Sequence, residues 1–383
     1  MKVAFNASSI SGSLTGIGQY AFNLANALID QNTIDINFFY RRHWDKQLIH
    51  QASNPKFNYR AFIRNNIPFS YDLDRMISQF GFSQGLNAIK PDIYHEPNFL
   101  AFKSDRPSVI TVHDLSWIKH PEVHPENRVK AMNRYFENSL NRASMVITDS
   151  NYIKHELADL IGFPDEKIVS IPLGYETIFK PREFSDTQPI LTQYSLTHGK
   201  YILAVGTIEP RKNLMTALQA FIKLPKKIRL QYPLVIVGMN GWLNSALDKQ
   251  LQPLMTTGEI RLLGYVPRLD LATVYSGALM LVFPSIYEGF GLPPLEAMAS
   301  GLPVVASNTS SIPEVIGDSG MLVDPYDVEG FFKAFELLIN DAVTRNQLSI
   351  KALNRSKDFS WDLCAKNTLK VYQQIHKSNP DYP

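Results

Sequence analysis

Short apolar runs closed by turn residues alternate along this chain with longer stretches whose apolar positions recur at helical spacing. Residues 3–5, 36–40, 93–95, 109–112, 145–148 and 168–171 have the length and composition of buried strands. Between them, residues 18–29 and 127–142 carry helical periodicity. Strands alternating with helices in this way predict parallel βαβ units and a doubly wound α/β sheet. The pattern then starts again at residues 201–205, 234–237, 260–263, 279–283, 304–306 and 321–323, each run followed by Gly, Pro or Ser.

Between the two series, residues 179–189 are polar, proline-bounded and without period, the expected linker, with a boundary near residue 185. After residue 355 no further strand is expected. Trp361, Leu363, Leu369, Val371, Tyr372 and Ile375 instead mark a terminal helix that can pack on either domain. The expected organisation is therefore an N-terminal domain over residues 1–180, a C-terminal domain over 190–355, and a helix over 356–383 that can cross back to the first domain. Open α/β sheets bind ligands at the carboxyl ends of their strands, so chemistry is expected in a cleft shared by the two domains.

A chain of 383 residues is long enough for two cores, and 45% apolar with 19% charged residues is an ordinary globular balance. Lys and Arg total 38 against 36 for Asp and Glu, which removes the main electrostatic argument for a nucleic-acid binder. The single cysteine, Cys364, cannot form an internal disulfide or a Cys-rich zinc site and reads as a small buried residue of a cytoplasmic protein. The first apolar run is too short for a signal peptide, and nowhere do about 18 apolar residues follow one another.

Four constellations carry candidate chemistry. Thr15-Gly16-Ile17-Gly18-Gln19-Tyr20 opens the first helix, where glycines let backbone amides approach an anion, although a plain helix-start loop fits as well. Val205-Gly206-Thr207-Ile208-Glu209-Pro210-Arg211-Lys212-Asn213 places a guanidinium fork and an ammonium together after a strand, which suits a diphosphate. Two solvated surface cations are the plainer alternative. Glu288 and Glu296, eight apart, flank the turn Gly289-Phe290-Gly291-Leu292. Paired carboxylates there can take vicinal sugar or ribose hydroxyls or act as acid and base, and either could instead be a helix-end charge. Thr111-Val112-His113-Asp114 puts a histidine at a strand's carboxyl end, able to exchange protons near neutral pH.

Two further patterns carry less. Asp72-Leu73-Asp74 has the form of a metal-holding Asp-x-Asp pair but reads better as acidic residues at a helix start. His120-Pro121-Glu122-Val123-His124 lacks the helical setting of a zinc site.

Taken with Gly264-Tyr265-Val266-Pro267 and Ser311-Ile312-Pro313-Glu314-Val315-Ile316-Gly317, these runs resemble the retaining glycosyltransferases of family 4 over nearly the whole chain. That resemblance implies the GT-B fold: two Rossmann-like domains facing a cleft, the first binding the acceptor and the second the nucleotide sugar. It implies that Arg211 and Lys212 hold the donor diphosphate and that Gly16 meets the phosphate or sugar from the other domain. Gly206 joins the donor-binding set with its loop. Glu296 would take the ribose hydroxyls, and the backbone near Val266 the base. Glu288, with the backbone of Phe290, Gly291 and Leu292, would meet the donor sugar, and His113 its C6 side. Thr207 stands where many members carry a further Arg, which would leave phosphate binding more dependent on Arg211 and Lys212.

The resemblance further implies a hexose transfer that needs no metal or other cofactor. The residues 206–213, with Val237-Gly238-Met239-Asn240-Gly241-Trp242, look most like bacterial enzymes adding mannose or related sugars to O-antigen and capsule precursors. GDP-mannose is then the expected donor, with a UDP- or dTDP-sugar as alternative, and a polyprenyl-linked glycan the expected acceptor. Arg128, Lys130, Arg134 and Arg142, with Met132, Tyr135 and Phe136, could touch the inner face of an anionic membrane, or simply form a solvated helix face. Rival readings are an epimerase or phosphorylase on the same architecture and a catalytically silent sugar-nucleotide-binding subunit. A nicotinamide dehydrogenase fits least, because no Gly-x-Gly-x-x-Gly follows either first strand.

Overall fold

The computed structural model describes residues 1–11, 14, 16–49, 70–239 and 245–378. Thr15 and Asn240, Gly241 and Trp242, named above, lie outside the described residues. The chain divides into two compact units. One comprises Met1–Leu115, Glu126–Leu173 and Trp361–Pro383; the other comprises Ser116–Pro125 and Gly174–Ser360.

The first unit is built on strands β1 (Lys2–Asn6), β2 (Asp35–Tyr40), β3 (His43–Asp45), β4 (Ile93–Glu96), β5 (Ser108–Val112), β6 (Met145–Thr148) and β7 (Ile168–Ser170). Their order is β3-β2-β1-β4-β5-β6-β7. All pair in parallel except the β2–β3 edge. Val3, Ala4 and Phe5, or Val109 and Ile110, are buried on both faces, which is why these runs are uninterruptedly apolar rather than alternating. The short edge strand β3 has no apolar run of its own and is held by Trp44, stacked on Phe82 at 5.4 Å. The Trp44 ring fills the space above Gly85, where a Cβ would have no room.

The helix Trp361–Lys377 completes this unit, burying Cys364, Ala365, Thr368, Leu369, Val371, Tyr372 and Ile375. It packs along the helix Gly16–Asp30. Leu363, one of the expected apolar positions, is instead largely exposed.

The second unit holds β8 (Ile202–Val205), β9 (Leu234–Val237), β10 (Ile260–Gly264), β11 (Met280–Phe283), β12 (Val304–Ser307) and β13 (Met321–Val323). They run in parallel in the order β10-β9-β8-β11-β12-β13. Its core joins Ile202, Ala204 and Ile236 of the sheet to Ala217, Leu218 and Phe221 of the helix Leu214–Lys223 and to Phe331, Phe335 and Leu338 of Val328–Asn340.

In both sheets the order reverses beside the first strand, so that the loops after β1 and β4, and after β8 and β11, open away from each other. That leaves a crevice at the carboxyl edge of each sheet. The stretch expected as an aperiodic linker contains the helix Phe184–Gln193, which tolerates Pro189 within it and buries Thr187 and Leu191. Among the described residues no helix is long and apolar enough to cross a membrane.

Candidate functional site

Two constellations lie at strand ends, one in each unit. In the second unit the loop after β8 turns through Gly206, at φ +149°, whose amide donates to the Val237 carbonyl at 2.9 Å. Gly238 follows β9 at φ +156° and approaches so closely that a Cβ there would stand 1.9 Å from the Gly206 carbonyl oxygen. This backbone-on-backbone packing delivers the chain to the one-turn 3-10 helix Pro210–Lys212 at the mouth of the crevice. Asn213, left-handed at φ +50°, then reverses it into the helix Leu214–Lys223. The Asn213 side-chain amide donates to the carbonyls of Pro284 and Pro325 and so ties the turn to the loops after β11 and β13.

Arg211 and Lys212 converge on one carboxylate. Arg211 Nη1 donates to Glu288 Oε2 at 3.0 Å and to the Tyr287 carbonyl at 2.7 Å; Lys212 Nζ donates to Glu288 Oε1 at 2.6 Å. The other edge of the guanidinium is taken by Glu209 Oε1, at 2.8 Å from Nη2. All four side chains are at most 14% exposed, which sets aside the reading of two solvated cations. Burial alone would push the Glu288 carboxyl up. Lys212 and then Arg211 outweigh it and hold the group down to about 2, ionised throughout the neutral range. An ammonium has three donors, so a phosphate oxygen can share Lys212 with Glu288. A small cavity lined by Gly206, Lys212, Leu214, Pro284 and Ser285 opens beside it.

The turn carrying Glu288 is braced from the loop after β12. Ser310 Oγ accepts from the Glu288 amide at 3.0 Å, and Ser311 Oγ bonds the carbonyls of Glu288 and Phe290, both at 2.8 Å. Gly291, at φ +127°, caps the helix Leu292–Ala299, a conformation that only glycine adopts without strain. Phe290 is buried against Phe359.

One turn into that helix lies Glu296, only 4% exposed. Its Oε1 accepts from Arg268 Nη2 at 2.6 Å, and the same guanidinium donates through Nε to Glu176 Oε1 at 2.7 Å. Arg268 is the first residue of the helix Arg268–Ser276, directly after Val266 and Pro267, and its guanidinium lies over the Phe179 ring at 4.5 Å. Burial raises the Glu296 carboxyl above its ordinary range even though Arg268 opposes it. Val266 is buried, while Tyr265 beside it is exposed.

In the first unit His113 follows β5. Its Nδ1 faces Asp149 Oδ2 at 2.8 Å, and its Nε2 bonds the Pro97 carbonyl at 3.0 Å. A carbonyl only accepts, so Nε2 carries a proton. Burial would lower the imidazole, but Asp149 outweighs it and raises the group above its ordinary value. Asp149 is itself raised, by burial. The ring edge packs against Tyr20 at 4.7 Å and Phe99 at 5.6 Å. Gly16 opens the helix Gly16–Asp30, and among the described residues beyond its own chain neighbours and helix backbone no heavy atom lies within 4 Å of where a Cβ would be. Gly18 is the sterically required one, since a Cβ there would meet the Ser9 carbonyl oxygen at 2.9 Å.

The structure thus gathers Gly206, Arg211, Lys212 and Glu288 in one cluster, and places Phe290, Gly291, Leu292 and Glu296 along the turn and helix that follow it. Glu209, Arg268 and Glu176 went unassigned by sequence reasoning. Glu209 offered a signal, a carboxylate two residues before Arg211; Arg268 gave none, because its partners lie 92 and 28 positions away. Of the Asp-x-Asp pattern, Asp74 is engaged by Arg41 at 2.6 Å and by Arg42 at 3.5 Å. His124 bonds Ser116 Oγ at 2.8 Å.

Residues 193–355 match the family model described as glycosyl transferases group 1, and residues 14–178 match glycosyltransferase family 4. O-antigen chain mannosyltransferase B of Escherichia coli is 36% identical, over 98% of this chain and 100% of that protein. Serotype-specific mannosyltransferase WbdA of Escherichia coli is 28% identical over 72% of this chain, which spans 34% of that longer protein. Among solved structures, sucrose-phosphate synthase from Thermosynechococcus elongatus superposes with a TM-score of 0.75 over 99% of this chain and 100% of that one, at 20% identity.

Proposed function

The chain belongs to the group 1, family 4 glycosyltransferases, and from that membership we propose that it transfers mannose from GDP-mannose to a hydroxyl of a lipid-linked glycan in O-antigen assembly. The transfer proposed retains the anomeric configuration and uses no metal ion. Whole-length likeness to an O-antigen chain mannosyltransferase supports the sugar and the pathway. The observation that carries the chemistry is the convergence of Arg211 and Lys212 on Glu288 beside the crevice of the second sheet.

In the reaction proposed, the bond from mannose C1 to the diphosphate oxygen breaks and a bond from C1 to the acceptor oxygen forms on the same face. The acceptor proton passes to the departing phosphate. Charge changes most on that leaving oxygen, so fixed cations aimed at it supply the largest stabilisation. Arg211 and Lys212 fill this role, and loss of either would cost roughly 2.7–4 kcal/mol of transition-state stabilisation. Glu288 keeps the two cations in place and offers a carboxylate to the sugar hydroxyls. Glu296 takes the ribose hydroxyls, and the backbone at Val266 the base. Gly16 and His113, in the first unit, complete the proposed residue set. His113 can donate to a substrate oxygen only when Nε2 leaves the Pro97 carbonyl.

The test is a melting-temperature panel of GDP-, UDP-, dTDP- and ADP-sugars, with and without EDTA, followed by NMR assignment of the anomer formed with the responding donor. Stabilisation by GDP-mannose alone is expected, unaffected by EDTA and lost in Lys212→Ala; a ligand at 100 times its Kd contributes about 2.7 kcal/mol. A response to a UDP-sugar only would replace the donor, an inverted anomer would remove the same-face reaction, and loss of activity in EDTA would remove the metal-free one.

A further inference from the structure

Arg268 is the one guanidinium in contact with Glu296 among the described residues, and nothing in the chemistry above uses it. It is shared between two carboxylates, with Glu296 Oε1 and Glu176 Oε1 both at 2.6 Å from Nη2, while its flat face rests on Phe179. A fork clamped on two edges and one face has little freedom left, so the Glu296 oxygen it holds is fixed too. Glu296 is 4% exposed and lies one turn into its helix, and burial raises its carboxyl against the opposing charge of Arg268. A protonated acid offers a donor where two ribose hydroxyls need acceptors. Among the described residues Glu176 and the buried Tyr275 phenol also act on Glu296, and neither supplies positive charge.

We propose that Arg268 is a positioning residue for nucleotide recognition, holding the Glu296 carboxylate in the orientation that accepts both ribose hydroxyls. This rests on the reading of Glu296 as the ribose-binding group. Arg268 follows Val266 and Pro267 directly, so one short segment would both face the base and set the ribose carboxylate.

The experiment measures binding of GDP, UDP and their 2′,3′-dideoxy counterparts to the wild-type chain and to Arg268→Gln, Arg268→Lys and Glu176→Gln, with circular dichroism confirming each fold. Wild type is expected to prefer the ribonucleotide of its own base by at least roughly ten- to hundredfold, the worth of one hydrogen bond to a charged group. In Arg268→Gln that preference should fall to about threefold or less, with KM for the donor rising and kcat at saturation little changed. Arg268→Lys, which keeps the charge but not the fork, should fall between. Glu176→Gln keeps an acceptor oxygen for Arg268 Nε and leaves the Arg268–Glu296 contact in place, and should keep most of the preference. A natively folded Arg268→Gln that discriminates as well as wild type overturns the inference while leaving the ribose reading standing. A wild-type chain that binds ribo- and dideoxynucleotide alike overturns the ribose reading itself, and the inference with it.

Discussion

Glu96 ends β4 with Tyr94 and Asn6 both donating to its Oε2, at 2.5 and 2.6 Å, and burial pushes its carboxyl up to about 7. The native state therefore holds this proton more tightly than the unfolded chain, and stability declines as pH rises from about 4.5 to about 7. Glu96→Gln keeps an acceptor for both donors and cannot ionise. It should match wild type near pH 4 and exceed it at pH 8 by about 3 kcal/mol in urea denaturation; equal midpoints at pH 8 would contradict this. Glu288 has the opposite sign. Its carboxyl is depressed to about 2, so its contribution is complete above about 4.5 and is lost as pH falls toward 2, and Glu288→Gln should flatten that acid limb. The two helix-start glycines also separate. Gly18→Ala forces a Cβ onto the Ser9 carbonyl and should cost about 1–3 kcal/mol, whereas Gly16→Ala should stay within about 0.5 kcal/mol in thermal melts. Any defect in donor binding by Gly16→Ala then reports the site and not the fold.

Elements were legible where both faces of a strand are buried, since runs such as Leu234–Val237 or Met145–Thr148 have no polar register to confuse them. His43–Asp45 was not legible, because it is three residues that turn straight back on β2 through Arg41 and Arg42, with no Gly or Asn to mark the turn and no apolar run, and its Trp44 packs on Phe82 far along the chain. Phe184–Gln193 was hidden by its polar residues and Pro189. The site divides along the same line. Arg211, Lys212 and Glu288 sit in contiguous motifs after strands, while the partners of His113 and of Glu296 come from distant strand ends and loops that only the fold assembles. The terminal helix offers a direct measurement at this scale. Tyr372 Oη pairs with His95 Nδ1, and Thr111 takes Nε2 at 3.0 Å, in a fully buried chain. Tyr372→Phe strands a buried ring nitrogen and should cost about 1–3 kcal/mol in thermal denaturation; a cost under about 0.5 kcal/mol would mean that the hydroxyl is dispensable.

Across the whole molecule, the chain gives Ser116–Pro125 to the second unit, leaves its first unit again after Leu173, builds the second through Ser360, and returns with Trp361–Lys377. Truncation after Ser360 should therefore strip hydrogen-exchange protection from β1, β4 and β5 while β8, β9 and β11 keep theirs; equal loss in both sheets would show that the helix supports them jointly. The same route fixes an order of events on the ribosome. The strands of the first sheet end at Ser170, yet the helix that packs in the same unit ends only at residue 377, some 204 residues after residue 173. At about 5–20 residues per second that is a wait of roughly 10–40 s, during which the second unit can complete itself and the older half of the nascent chain still carries an uncovered apolar groove for chaperones to guard.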